Sequence, residues 1–306
     1  MNATSLNKSH LQGHIALAFA NALFGLNQSA TKLVLGAPEI SAISLITMRM
    51  YAGAILFWIT SLFLKYEKVS LGDIGRLFMA SFVGVQLNQY AFVLGMQYTS
   101  PIDSSIMATM GPIVTLIAAA IIIKEPLSLK KVAGVGLGLM GALMLIYGGG
   151  ALRVAGSNPL LGNSLCLVSA CSYATYLVVF RDIIRRYSAV TVMKWMFLFA
   201  AIISSFIGGK QVVSIDFVNL PTDNLLQLGF VLLFATYLSF MVLTTGQRYL
   251  RPTVVSMYMY VQPLVSTAFS IYLGLDSFST LKLVAASLIF TGVYLVTQSK
   301  ALKTDN

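Results

Sequence analysis

The sequence predicts an all-α integral membrane protein, and three observations carry that prediction. The chain is 57% hydrophobic and only 10% charged, where soluble domains carry roughly a quarter charged residues. Its mean hydropathy is +0.82. Its apolar residues gather in long runs that lack the period-two alternation of barrel strands, so helices are what can satisfy the backbone in lipid. At about 20 apolar residues per crossing, 306 residues accommodate ten transmembrane helices with short connectors.

The first run, about His14 to Leu35, follows Lys8 and His10 as a signal peptide would. It is too long for one and contains Asn21, Asn27 and Gln28, so it is expected to be a retained helix. Four more runs complete the first half: about Ile40 to Leu64, Gly72 to Met96, Ile102 to Ile123 and Val132 to Gly148. The second half repeats the count, from about Leu161 to Phe180, Ala189 to Gly208, Leu225 to Gln247, Thr253 to Leu275 and Leu281 to Thr297. Each is long enough at 1.5 Å per residue to cross about 30 Å of hydrocarbon.

Basic residues orient the spans. With the N-terminus in the cytoplasm, fifteen of the 20 Lys and Arg fall inside, among them Lys65, Lys124, Lys131, Arg181, Arg185, Arg248 and Arg251. Lys32, Arg153, Lys210 and Lys282 fall outside, and Arg49 lies within a span. Both termini are therefore expected in the cytoplasm, with the chain a multi-pass protein of the cell (inner) membrane. The net charge of +10 is spread over short loops facing anionic lipid, which excludes a nucleic-acid surface. Oligomeric state is not legible.

An internal repeat runs at a constant offset of 151 residues, pairing Gly95 with Gly246, Tyr98 with Tyr249, Pro101 with Pro252 and Pro112 with Pro263. Ser128 meets Ser279, Lys131 meets Lys282, Gly141 meets Gly292, and Glu125 faces Asp276. Five helices per half place equivalent segments in opposite orientations, an inverted repeat of the kind secondary transporters use. The two units are 12–148 and 160–298.

Particular residues also resemble a known family. Phe24-Gly25 and Lys32 in the first span, the Met48-Arg49 pair, Tyr98-Thr99-Ser100-Pro101, and Lys124-Glu125-Pro126-Leu127-Ser128 before the Gly134 to Gly141 helix look like an EamA-type half. Over residues 10 to 298 the chain is similar to the EamA-like branch of the drug/metabolite transporter superfamily. Leu275-Asp276-Ser277 departs from the family's Gly-Glu turn. The resemblance implies a carrier of two EamA-like repeats whose first, third, fourth, sixth, eighth and ninth helices surround a central cavity.

Polar side chains inside spans are the candidates for substrate contact, because lipid exposure costs them heavily. Asn21, Gly25, Gln28 and Lys32 form one stripe of the first span, fitted either to line a cavity or to bond helix to helix. Gln86, Gln89 and Tyr90 share a face of the third span, with Asn88 turned away. Ser105, Thr109 and Pro112 map through the repeat onto Ser256, Tyr260 and Pro263; the paired prolines are read as kinks, as hinges or gates, or as both. Tyr173, Tyr176 and Tyr237 also lie inside spans rather than at their ends, where interfacial aromatics gather. Amides with tyrosines suit a small zwitterionic or neutral metabolite.

Arg49 is expected to serve structure or coupling, and Asp103 to cap its helix or to couple. Glu125 is expected to cap a cytoplasmic turn. Two Cys and two His exclude a thiolate zinc site or a histidine metal cluster, so no cofactor or metal is expected. No Walker sequence, Gly-x-Ser-x-Gly elbow or His-Glu-x-x-His helix occurs. The function expected is a secondary transporter, not an enzyme, that moves small metabolites such as amino acids, outward, by alternating access. The alternative is a membrane enzyme acting on a lipid-linked intermediate, which needs clustered acids, histidines or cysteines at a membrane face.

Overall fold

The computed structural model describes residues 3–35, 37–98, 107–148, 158–272 and 279–299. Asp103 and Ser105 lie outside the described residues, as does the side chain of Gln28. Among the described residues the structure is helical, with no strand. The helices are α1 (Ala3–Val34), α2 (Ala42–Leu62), α3 (71–98), α4 (Met107–Ile122), α5 (Leu129–Gly148), α6 (Pro159–Val179), α7 (Ala189–Val213), α8 (Thr222–Tyr249), α9 (252–272) and α10 (Thr280–Thr297). A short helix, Arg181–Arg186, links α6 to α7. Six of these, α2, α3, α6, α7, α8 and α10, are long and apolar enough to cross a membrane, and α4 is a shorter apolar helix.

Helix starts follow local chemistry. Ser41, Ser70, Asn158 and Ser188 each accept a backbone N–H three residues on, an N-cap for α2, α3, α6 and α7. Ser128 and Ser279, equivalent under the repeat, do the same toward Lys131 N and Lys282 N at 3.3 and 3.4 Å.

The repeat also governs a feature that no residue type announces. A π-helical segment interrupts α3 at Phe82–Leu87, and another interrupts α8 at Leu233–Leu238, again 151 residues apart. A π turn widens the helix and frees backbone carbonyls, and other groups capture them. Ser172 of α6 donates to Val83 O, while Thr236 and Ser239 donate to Val231 O and Phe234 O within α8, each at 2.8 Å.

Helix packing obeys the same duplication. α1 packs on α8 and α9 as α6 packs on α3 and α4, while α2 pairs with α7 and α5 with α10. Lipid supplies no hydrophobic drive for helix association, so close approach through small residues matters instead. A Cβ at Gly134 would stand 2.7 Å from Gly292 O, and one at Gly141 would stand 2.6 Å from Ala285 O. Shifting by 151 exchanges these two contacts, as a two-fold relation between α5 and α10 requires.

The six helices α8, α1, α9, α4, α6 and α3 follow one another in contact as an arc. The α2–α7 pair closes it, touching α3 and α8, and the α5–α10 pair backs α9. Phe57 and Phe197 anchor the α2–α7 contact, both fully buried and stacked 5.4 Å apart. Large apolar side chains face outward in number: Phe206 is 87% exposed, Ile121 73% and Phe290 63%. A belt of that kind is intolerable in water and fits contact with acyl chains.

Candidate functional site

The polar stripes foreseen in the sequence are distributed over several interfaces. On α1, Asn21 is buried, donates to Leu17 O at 2.8 Å and accepts from Gln262 Nε2 of α9 at 2.8 Å. His14 Nδ1 lies 2.8 Å from Tyr258 Oη of the same α9. The α1–α9 seam is thus polar at two levels.

The α6–α8 group reaches farther. Tyr176 donates to Gln247 Oε1 at 3.2 Å, and Gln247 Nε2 donates to Tyr173 Oη at 3.3 Å. Along the arc α1, α9 and α4 separate α8 from α6, so these side chains reach across its interior. A Cβ at Gly84, in the π segment of α3, would strike the Tyr176 ring at 2.5 Å, so the tyrosine occupies the groove that the missing side chain leaves.

Gln86 and Tyr90 come together with two groups not foreseen, Thr47 and Ser204. Gln86 Nε2 donates to Ala200 O at 2.7 Å and Ser204 Oγ at 3.1 Å. Tyr90 Oη donates to Ser204 Oγ at 3.2 Å and lies 3.5 Å from Thr47 Oγ1. These bonds tie α3 to α7 and α2. Gln89 is half-buried beside them. Asn88, on the opposite face of α3, donates to Ser169 Oγ of α6 at 2.9 Å.

Arg49 is buried on α2, and its Nε donates to Thr236 Oγ1 inside the π segment of α8 at 2.9 Å. Position 200 is the repeat equivalent of position 49. Each π segment therefore binds the equivalent point of the opposite half: Arg49 through its side chain, Ala200 through its carbonyl. Tyr237 Oη lies 2.6 Å from Thr60 Oγ1 of α2.

Tyr260 and Ser256 are fully buried on α9, and Thr109 is buried on α4. A 3-10 turn, Tyr258–Tyr260, breaks α9 three residues before Pro263, and a turn at Met110 breaks α4 before buried Pro112. Ser256 Oγ donates to Thr253 O at 3.0 Å. The Tyr260 ring packs toward α5, within 2.5 Å of where a Gly138 Cβ would stand. Its hydroxyl is buried with no hydrogen-bond partner among the described residues, a condition that costs about 1–3 kcal/mol. Tyr260→Phe is therefore expected to raise thermal stability by about 1 kcal/mol, measured as an upward shift of the melting temperature in detergent.

One face carries the charged connectors. Arg186 Nη1 pairs with Asp73 Oδ2 at 2.9 Å, and Tyr187 donates to Asp73 Oδ2 at 2.8 Å. Ser188 donates to Glu67 through N–H and hydroxyl. Burial pushes the Glu67 carboxyl up, but bonds from Thr191 and Ser188 and the charge of Arg248 outweigh it and hold the carboxyl below its ordinary value. A depressed carboxyl stabilises the fold above the unfolded Glu pKa of about 4.3 and loses that contribution as pH falls through the folded value. The melting temperature should fall on acidification below about pH 4, and Glu67→Gln should flatten that part of the profile.

The residues that sequence reasoning missed are Gln247, Gln262, Ser204, Thr47 and the Glu125 group described below. Gln262 was signalled by its place beside Pro263. Gln247, at a span's end, carried no signal separating it from an interfacial amide.

An all-helical bundle with an apolar belt and polar groups inside it is a multi-pass membrane protein. The EamA-like transporter family model matches residues 11–147 and 160–298, and the chain belongs to that family as two EamA-like domains. It is 20% identical to the uncharacterized transporter YetK of Bacillus subtilis over 298 residues, covering 96% of this chain and 89% of the relative. The WAT1-related protein At4g01440 of Arabidopsis thaliana is 40% identical over 84 residues, which are 28% of this chain and 22% of the relative. The chain thus matches less than a quarter of that relative's length, and about two thirds of another Bacillus subtilis transporter, YyaM, at 20% identity. A crystal structure of a protein 18% identical superposes with a TM-score of 0.78, covering 95% of this chain and 98% of that one, a likeness of fold.

Proposed function

We propose that this family member is a secondary transporter of small metabolites, amino acids or related compounds, exporting them across the cell membrane by alternating access. Ten helices form two inverted five-helix halves, 12–148 and 160–298, with both termini cytoplasmic. The observation that carries the reading is the duplicated arc of six helices whose interior is crossed by Tyr173, Tyr176 and Gln247 and flanked by the Asn21–Gln262 pair. Amides and phenols offer donors and acceptors without fixed charge, which fits a zwitterion with an apolar side chain better than a phosphorylated solute. A membrane enzyme is not favoured, because the family and the relatives' names are those of transporters.

A thermal-shift screen of the purified protein against the amino acids tests the cargo. A ligand that binds the folded state raises its melting temperature by mass action. Gln247→Leu and Gln262→Leu should abolish that shift while leaving a folded protein. No shift with any amino acid, together with no counterflow in proteoliposomes, would overturn the reading.

A further inference from the structure

A buried carboxylate is shared by the two halves at the face that carries the charged connectors. α4 ends at Ile122, and Lys124 adopts a left-handed φ of 53°, a conformation disfavoured outside glycine. The reversal lets Glu125 N–H bond Ala119 O at 3.0 Å and turns Glu125 into the protein, where it is 4% exposed. The sequence reading of Glu125 as a turn cap is corrected here, because its side chain bonds other groups.

Lys131 of the same half, fully buried, places Nζ 2.8 Å from Glu125 Oε1 and donates to Pro126 O at 2.7 Å. From the second half, Thr253 Oγ1 donates to Glu125 Oε2 at 2.9 Å, and Arg251 Nη1 stands 3.7 Å from Oε1. Arg251 is itself anchored to Ser299 O at 2.8 Å. Arg251 and Thr253 begin α9, all of whose first turns, Pro252–Met257, are buried. Farther along α9 come Tyr258, bonded to His14, and then Gln262, bonded to Asn21. From Thr253 to Gln262 is nine residues, about 14 Å of helix.

We propose that Glu125 is the positioning residue that gates the substrate path at this face. Its carboxylate bonds hold the start of α9 against the α4–α5 turn in the closed state, and they break together when the halves rock apart. The inference rests on the transporter reading. A buried carboxylate shared between two bodies suits a gate because partial separation strips it of Thr253 and Arg251 while it is still dry and held only by Lys131 of its own half, whereas full opening rehydrates it. Glu67 and Asp73 also cross between the halves, but they hold the α6–α7 connector to α3 beside the α2–α7 pair.

The test measures access and needs no known cargo. In a cysteine-free background (Cys166→Ala, Cys171→Ser), Ser256→Cys on α9 is the reporter, labelled by a membrane-impermeant maleimide from each side of reconstituted vesicles. Glu125→Gln should speed labelling from the Glu125 face by about tenfold through a shift in the population of the open state, and leave labelling from the other face unchanged or slower. Thr253→Val, which keeps the Glu125–Lys131 pair, should give a smaller increase in the same direction, and Glu125→Asp should restore slow labelling. Unchanged rates, or equal increases from both faces in protein of native elution volume, would overturn the gate. If Glu125→Gln does not fold, Thr253→Val decides alone. One-sided acceleration without any amino acid binding would uphold the gate and sink the cargo assignment, so the two failures are distinguishable.

Discussion

Gly292→Leu is expected to destabilise the protein by about 3 kcal/mol, at the upper end of overpacking effects. A Cβ there would stand 2.5 Å from Gly134 O and 2.8 Å from Gly138 N. Both obstacles are backbone, which cannot rotate aside as a long side chain can. α5 and α10 would have to separate along the contact that relates the halves. Gly136→Leu is the matched control, because nothing lies within 4 Å of a Cβ at that position. It should be neutral or slightly stabilising, since glycine is a poor helix former. Melting curves of the two variants in one detergent check the contrast, and equal losses would show that the α5–α10 contact is not the cause.

Lys131→Met is expected to cost about 3 kcal/mol, because it strands a buried carboxylate from its nearest cation. Arg251 stays at 3.7 Å and limits the loss. Replacing both members, Glu125→Leu with Lys131→Met, should recover most of it, since a buried pair exchanged for apolar groups of similar volume is often neutral. A double-mutant cycle on thermal stability reads the coupling. Additive losses would mean that the 2.8 Å contact carries no net energy.

Much of the fold was legible because lipid is a severe solvent: a run such as Ala189 to Gly208 has no option other than a buried helix. The repeat was legible from a few prolines, glycines and a lysine pair. The π segments were not, since Phe82–Leu87 and Leu233–Leu238 share no distinctive composition and the insertion is stabilised by partners such as Ser172 on another helix. Helical spacing placed Gln86 and Tyr90 on one face and Asn88 on the other, but could not say which neighbour each face meets. The burial of Glu125 and Lys131 was hidden for a plainer reason. Charges in short loops are normally solvated, and only the left-handed turn at Lys124 takes this one inside.

The duplication of frame without duplication of chemistry has an energetic consequence. Under the repeat, Arg251 and Thr253, which reach Glu125, correspond in sequence to Ser100 and Ile102, so a cation and a hydroxyl in one half are matched by a serine and an isoleucine in the other. Two halves alike in both shape and chemistry would give the inward-open and outward-open states nearly equal free energy. With side chains that differ in this way between the halves, a rocking carrier would spend unequal time facing the two compartments before any solute binds, and residues remote from the solute would set that resting bias.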